Sequence, residues 1–216
     1  MAYHTRMTLL LLVTALPVLV GAFRFPLLNK SGKIFYGLCV FSLATESAAY
    51  YTAVQYHSNI MVYNVCNVGQ MFLACLFFNQ AIPGFRKRNI GMAIGILSVI
   101  LGLLNFLYLQ PVQEIADYFL LYQALVMIGL CIIGLLPALK LQYPDKNVQA
   151  VDFWFIVILG SYRTVTYFLF SVIKFYTWRS PDLALECTWG LYAASVLWSL
   201  GATVVFLNYP KLLQHV

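Results

Sequence analysis

Charged side chains are scarce in this sequence. Only 9% of its 216 residues are Asp, Glu, Lys or Arg, whereas 62% are hydrophobic. A soluble domain carries roughly a quarter charged residues. A chain with so few charged residues has the composition of a membrane protein. The polar stretches between the apolar runs are too short to form a soluble domain. Residues 1–216 are therefore predicted to be a single membrane domain.

Histidine is missing from the interior of every apolar run. His4, His57 and His215 lie at the two ends and in one link, which counts against a zinc hydrolase that needs several imidazoles converging inside the membrane. The last apolar run contains no lysine, which excludes a retinal Schiff base there. Neither a Gly-x-Ser-x-Gly elbow nor a glycine-rich phosphate loop is present. The sequence favours a non-enzymatic protein, with no catalytic residue, no metal site and no cofactor.

Apolar runs of membrane-spanning length fill most of the chain. About 20 apolar residues cross the hydrocarbon core as a helix, and seven such runs predict an all-α fold, a polytopic bundle of seven transmembrane helices. The first run resembles a signal peptide. Its removal would place a basic link on the wrong side, so a retained helix is expected. The predicted helices are 7–23, 34–55, 59–79, 90–109, 116–139, 150–174 and 185–208.

The basic residues are distributed unequally between the two sides of this bundle. One side has only Arg6, Lys174 and Arg179, and the other has nine: Arg24, Lys30, Lys33, Arg86, Lys87, Arg88, Lys140, Lys146 and Lys211. Because cytoplasmic links are enriched in Lys and Arg, the N-terminus is predicted outside and the C-terminus in the cytoplasm. The net charge of +6 then reflects topology. The expected surroundings are the lipid bilayer, and no nucleic acid partner is predicted.

Two ionisable residues lie near the middle of predicted spans. Glu46 is about halfway along the second and Arg163 about halfway along the sixth. Such residues cost about 2.5–3.5 kcal/mol on insertion scales and usually face the protein interior. We predict that they form an ion pair, directly or through water, because the planar guanidinium fork suits a carboxylate. Gln70, midway along the third span, would satisfy spare donors and acceptors.

Helical spacing places further polar side chains on the same faces as these residues. Residues four apart share one stripe of a helix, which groups the polar side chains of the second, third and sixth spans into narrow arcs. The candidate ligand-binding residues are Glu46, Arg163, Gln70, Asn67, Asn64, Tyr50 and Tyr167.

Several interpretations of this polar centre are open. It can hold a ligand or ion, or it can only fix the register of the helices. If the second and sixth spans are not adjacent, Arg163 instead meets backbone carbonyls or lipid. A further alternative is an outward-opening pocket above the level of Arg163, roofed by tyrosines.

Several patches along the chain resemble a known family. "LPVLVGAFRF", "ATESAAYY", "VYNVCNVGQMF" and "DFWFIVILGSY" are similar to sequences of an uncharacterised family of small seven-helix integral membrane proteins of Bacteroidota. The specific matches are Glu46, Tyr63-Asn64 and Phe153-Trp154. This resemblance implies the seven-helix fold and a bacterial inner (cytoplasmic) membrane, and it implies no particular activity.

Three functions are compatible with the sequence. The first is a non-enzymatic sensor or an accessory subunit of a membrane complex, with a membrane protein partner or a second copy of the chain. The second is a small-solute or proton-coupled transporter that uses Glu46 and Arg163. The third is a lipid-modifying enzyme with Glu46 or Asp152 as base, which ranks last because a carboxylate held by arginine is a poor general base.

Overall fold

The computed structural model describes residues 2–139, 150–176 and 179–214, and regular structure in these ranges is helical throughout. Seven long helices and one short helix follow one another along this part of the chain. They are α1 Ala2–Arg24, α2 Lys30–Tyr56, α3 Ile60–Ala81, α4 Pro83–Arg88, α5 Ile90–Leu104, α6 Asp117–Leu139, α7 Ala150–Tyr176 and α8 Pro181–Gln214.

Each predicted span corresponds to one of the seven long helices. The fourth span is α5 together with the π-helical turn Asn105–Leu109 that continues it. Six of these helices, all except α2, are long and apolar enough to cross a bilayer. The chain therefore has the architecture of a multi-pass membrane protein.

Helix α2 falls short on apolarity but not on length. Its 27 residues rise about 40 Å at 1.5 Å per residue, more than a bilayer core requires. Its hydropathy is lowered by the many polar side chains within "FSLATESAAYYT". The helix packs against α1, α3 and α7, so part of its surface faces protein and not lipid.

Contacts between distant residues show which helix ends lie together. At one end, His4 of α1 bonds to Tyr50 of α2, and Lys174 of α7 pairs with Asp117 of α6. We call this the amino-terminal end; it also carries the α2–α3 and α5–α6 links. The opposite end, which we call the basic end, carries the α1–α2 link, the short helix α4 and the C-terminus. Lys140 and Lys146, which were predicted on that side, lie outside the described residues.

Small residues bring α5 close to α3. Gly91, Gly95, Ser98 and Gly102 form a buried stripe along α5. A Cβ atom on Gly91 would lie 2.6 Å from the carbonyl oxygen of Cys75, so only glycine permits this approach. Small residues at such spacing are typical of helix contacts in membranes.

The basic half of the bundle is filled by aromatic rings from α2, α3, α7 and α8. The ring of Phe35 stacks on that of Phe155 with their centroids 4.0 Å apart. Phe77, Trp198 and Phe206 surround Phe35 at centroid distances of 5.5, 5.2 and 6.0 Å. Phe35, Phe77, Phe155 and Phe206 are fully buried. Because lipid tails are as apolar as these rings, close packing and not the hydrophobic effect stabilises this core.

A group of paired polar side chains, which we call the polar knot, lies at the basic end beside this core. Ser31 at the start of α2 donates to Asp152 Oδ1 of α7 at 2.6 Å. The hydroxyl of Tyr209 on α8 accepts from the backbone N–H of Asn29 at 2.8 Å. Asn29 Oδ1 in turn caps α2 by accepting from the N–H of Gly32 at 2.7 Å. These bonds tie the first turns of α2 and α7 to the last turns of α8.

Candidate functional site

A cavity of about 350 Å³ lies in the amino-terminal half of the bundle. Residues of α1, α2, α3, α6, α7 and α8 line it, from Arg6 near the start of α1 to Gln70 and Arg163 at mid-helix. We call this cavity the chamber and its mid-helix end the floor. Its volume falls in the range typical of small-molecule sites.

Arg163 lies at the floor, only 7% exposed. Its Nη2 donates to Gln70 Oε1 at 2.8 Å, and its Cζ lies 5.6 Å from the centre of the Tyr162 ring. Its Nε has no hydrogen-bond partner among the described residues. The guanidinium therefore faces protein and the chamber, not lipid, and part of its donor capacity is unused.

Glu46 lines the same chamber from α2 but does not contact Arg163. Its Oε2 accepts a hydrogen bond from the Tyr63 hydroxyl at 2.8 Å. Within the described part of the chain, no oxygen of Glu46 approaches a nitrogen of Arg163 to 4.0 Å. The direct form of the predicted ion pair is wrong. Two neutral side chains of α3 bond to these residues instead: Tyr63 to Glu46 and Gln70 to Arg163. A bridge through water stays a prediction.

Tyr167 and two asparagines of α3, Asn64 and Asn67, also line the chamber. Tyr167 is 8% exposed, and its hydroxyl has no partner within the described ranges. Asn64 is a different case: its amide donates to the carbonyls of Val112 and Glu114 at 2.8 and 2.6 Å. Asn64 thus holds the α5–α6 link, and its amide N–H groups are not available to a ligand. Asn67 accepts a bond from Gln123 Nε2 at 2.9 Å through its backbone carbonyl. The Asn67 side chain takes no part in this bond.

Tyr50 is not part of the chamber lining. Its hydroxyl lies 3.0 Å from His4 Nδ1, and the two rings meet edge to face at the amino-terminal end. The stripe that includes Glu46 and Tyr50 was expected to share one environment. One turn beyond Glu46, however, Tyr50 meets His4 at the start of α1. Tyr50 is therefore withdrawn as a ligand-binding candidate.

The sequence interpretation missed the contribution of α1 and α8 to this site. Arg6 lies on α1, and Thr188, Tyr192 and Ser195 lie along α8. Together with Ser199, the α8 residues recur every three or four positions, a helical polar stripe that was readable in the sequence. Tyr162, next to Arg163 on α7, was also missed, because neighbouring positions of a helix point about 100° apart and do not indicate a shared face.

A second, much smaller cavity of about 20 Å³ adjoins the floor towards the basic end. It shares Glu46, Gln70 and Tyr162 with the chamber and adds Ser42 and Ser199. It is large enough for one water molecule. Beyond this small cavity the lining becomes aromatic. The ring of Tyr162 stacks on that of Trp198 with their centroids 5.2 Å apart, and Trp198 belongs to the aromatic core.

These groups are suited to holding a small polar molecule. The floor offers unused N–H and O–H donors from Arg163 and Tyr167 and one carboxylate from Glu46. No group of three or more His, Cys, Asp or Glu residues that would hold a metal ion occurs among the described residues. Asp152, the other predicted candidate for a base, lies in the polar knot at the opposite end and is bonded to Ser31.

Comparisons with protein-family models, with curated proteins and with solved structures found no match. The function therefore has to be argued from the chamber itself.

Proposed function

We propose that this protein is a seven-span membrane protein that captures a small solute in the chamber and acts as a non-enzymatic sensor. One observation carries the proposal. Two side chains more than nine-tenths buried, Arg163 and Tyr167, line a cavity of ligand size, and each has a polar atom without a hydrogen-bond partner among the described residues. Buried polar groups are almost always hydrogen-bonded, and a bound solute would supply the missing acceptor.

The proposal includes α2 as the seventh span and an N-terminus outside a bacterial inner membrane. Support for the seventh span comes from the length of α2 and its packing among α1, α3 and α7. Support for the orientation comes from nine basic residues on one side against three on the other. The bacterial inner membrane rests on the family resemblance. In this orientation the chamber faces the outside.

A ligand-free measurement separates a solute site from a device that merely fixes helix register. Replacing Arg163 by Met together with Gln70 by Leu removes the buried polar pair and keeps the volume. If the pair serves a solute, the melting temperature of the empty protein stays the same or rises, because buried polar groups often lower stability relative to apolar ones of similar size. If the pair fixes register, the double variant melts lower.

The polar knot provides the matched control. Ser31→Ala with Asp152→Leu removes a polar pair of similar size, but one whose partners are all within the protein. This variant should melt lower, by roughly 2–4 °C for each kcal/mol lost in a protein of this size. Equal destabilisation of both double variants would remove the argument for a solute site.

A transporter is the second candidate, favoured by the small cavity below the floor. Glu46 and Gln70 line both cavities. Polar side chains therefore continue from the chamber towards the basic end as far as the aromatic core. A chamber open on one side and sealed on the other is one of the two states that alternating access requires. Substrate-dependent flux in liposomes that is lost in Glu46→Gln would favour transport. The absence of flux with binding intact would favour a sensor.

A further inference from the structure

Three charged side chains line the chamber, Arg6, Glu46 and Arg163. The two at its floor, Glu46 and Arg163, have opposite signs but do not neutralise each other. Arg163 bonds to the neutral Gln70 amide and Glu46 to the neutral Tyr63 hydroxyl. Both residues line one cavity, and their charged atoms lie more than 4.0 Å apart. A charge inside a membrane is costly unless it is paired, and among the described residues neither group has an oppositely charged side chain within 4.0 Å.

From this arrangement we infer that the solute is a small zwitterion of the amino-acid class. The inference rests on the proposed solute site. The carboxylate of the zwitterion accepts from Arg163 Nε and the Tyr167 hydroxyl, and its ammonium group donates to Glu46. Both protein charges are thereby satisfied by one molecule, whereas a simple anion or a simple cation would satisfy only one of them.

The walls of the chamber indicate an apolar side chain on this zwitterion. Met7, Leu10, Leu120, Phe170 and Leu191 line the cavity away from its charged floor. The volume of about 350 Å³ accommodates even a large amino acid. Away from the floor, Arg6 is the charged residue of the described lining, so a basic side chain would be desolvated against these walls without a partner and an acidic one would have to reach Arg6.

Three probes that differ in one charged group at a time test this inference. L-phenylalanine carries both charges, 3-phenylpropionate lacks the ammonium group and 2-phenylethylamine lacks the carboxylate. Binding to the full chain in lipid nanodiscs is measured by calorimetry and by the shift in melting temperature. L-phenylalanine should bind about tenfold or more tightly than either analogue, the usual scale for losing one charge-assisted contact.

Variants of the floor assign each end of the probe. Glu46→Gln should weaken L-phenylalanine by about tenfold and 3-phenylpropionate much less, since only the former has an ammonium group. Tyr167→Phe should weaken both acids severalfold, because the phenolic hydroxyl donates to the carboxylate. Tyr50→Phe is the matched control outside the chamber and should leave all three affinities unchanged.

The outcomes separate this inference from the proposed function. Equal binding of L-phenylalanine and 3-phenylpropionate would overturn the zwitterion and leave a solute site for anions. Equal binding of L-phenylalanine and 2-phenylethylamine would overturn it in favour of a cation site. Failure of all three probes would overturn the amino-acid class, while the melting temperatures of the Arg163→Met/Gln70→Leu and Ser31→Ala/Asp152→Leu proteins decide independently whether a solute site exists.

Discussion

The two halves of the bundle use the same helices in opposite ways. In the basic half, α2, α3, α7 and α8 bring their aromatic rings into a core whose largest members are fully buried. In the amino-terminal half, the same four helices leave a chamber of about 350 Å³ between them. The side chains of the basic half are packed until almost none of their surface is exposed, and the same helices could be packed as closely in the other half. The chamber is therefore a property that the residues of that half specify, and not a general looseness of the fold.

The carboxylates of the two halves show the same contrast. Asp152 in the basic half is 4% exposed and accepts a 2.6 Å bond from Ser31. Glu46 in the amino-terminal half accepts a bond from Tyr63 and otherwise faces open space. The polar knot of the basic half is paired within the protein, whereas Arg163 and Tyr167 of the chamber each keep a polar atom without a partner among the described residues. The difference predicts how each half responds to substitution.

The largest effect is expected from removing a ring from the packed half. Phe35→Ala creates a cavity of roughly 100 Å³, which at about 24 cal/mol per Å³ lowers the free energy of unfolding by on the order of 2 kcal/mol. The matched change in the chamber wall, Phe170→Ala, should cost less than about 1 kcal/mol, because Phe170 already borders empty space. Thermal unfolding in detergent compares the two. Similar losses would show that the halves are packed alike.

A smaller difference is expected between the two carboxylates. Asp152→Ala removes the buried acceptor of the 2.6 Å bond from Ser31, whose hydroxyl keeps only Asn29 Oδ1 at 2.9 Å, and should cost roughly 1–2 kcal/mol. Glu46→Ala should change the free energy of unfolding by less than about 0.5 kcal/mol, since Tyr63 can turn to water in the chamber. The same unfolding measurement checks this pair. A greater loss for Glu46→Ala would mean that Glu46 is the structural carboxylate.

Much of the fold was predictable because membrane helices follow simple rules. The apolar runs predicted all seven long helices, since nothing else satisfies the backbone in lipid. The small residues from Gly91 to Gly102 have the spacing typical of closely packed membrane helices, and in the structure they bring α5 against α3. Helix α2 was predicted with the others as an apolar run, although it is the one of the seven long described helices that falls short on apolarity.

The candidate site was predictable in depth but not in lateral arrangement. Counting residues placed Glu46, Gln70 and Arg163 at one level, and the structure brings all three to the floor of one chamber. Depth does not report how far apart two helices lie, so the direct Glu46–Arg163 contact was wrong. Tyr50 was misassigned for a related reason: a stripe on one helix can change neighbours within a single turn.

Access to the chamber from water tests the central claim most directly. Ser195 on α8 lines the chamber, and Ala202, two turns further along α8, is fully buried in the aromatic core. Each is changed to cysteine in a background that carries Cys66→Ser and Cys187→Ser. The reagent is a small membrane-impermeant methanethiosulfonate, applied separately to each side of membrane vesicles. We predict that the cysteine at 195 is modified from the N-terminal side at least about tenfold faster than the one at 202, in line with burial-controlled thiol reactivity. Equal rates, or modification of 195 only from the basic side, would contradict a chamber open at the amino-terminal end.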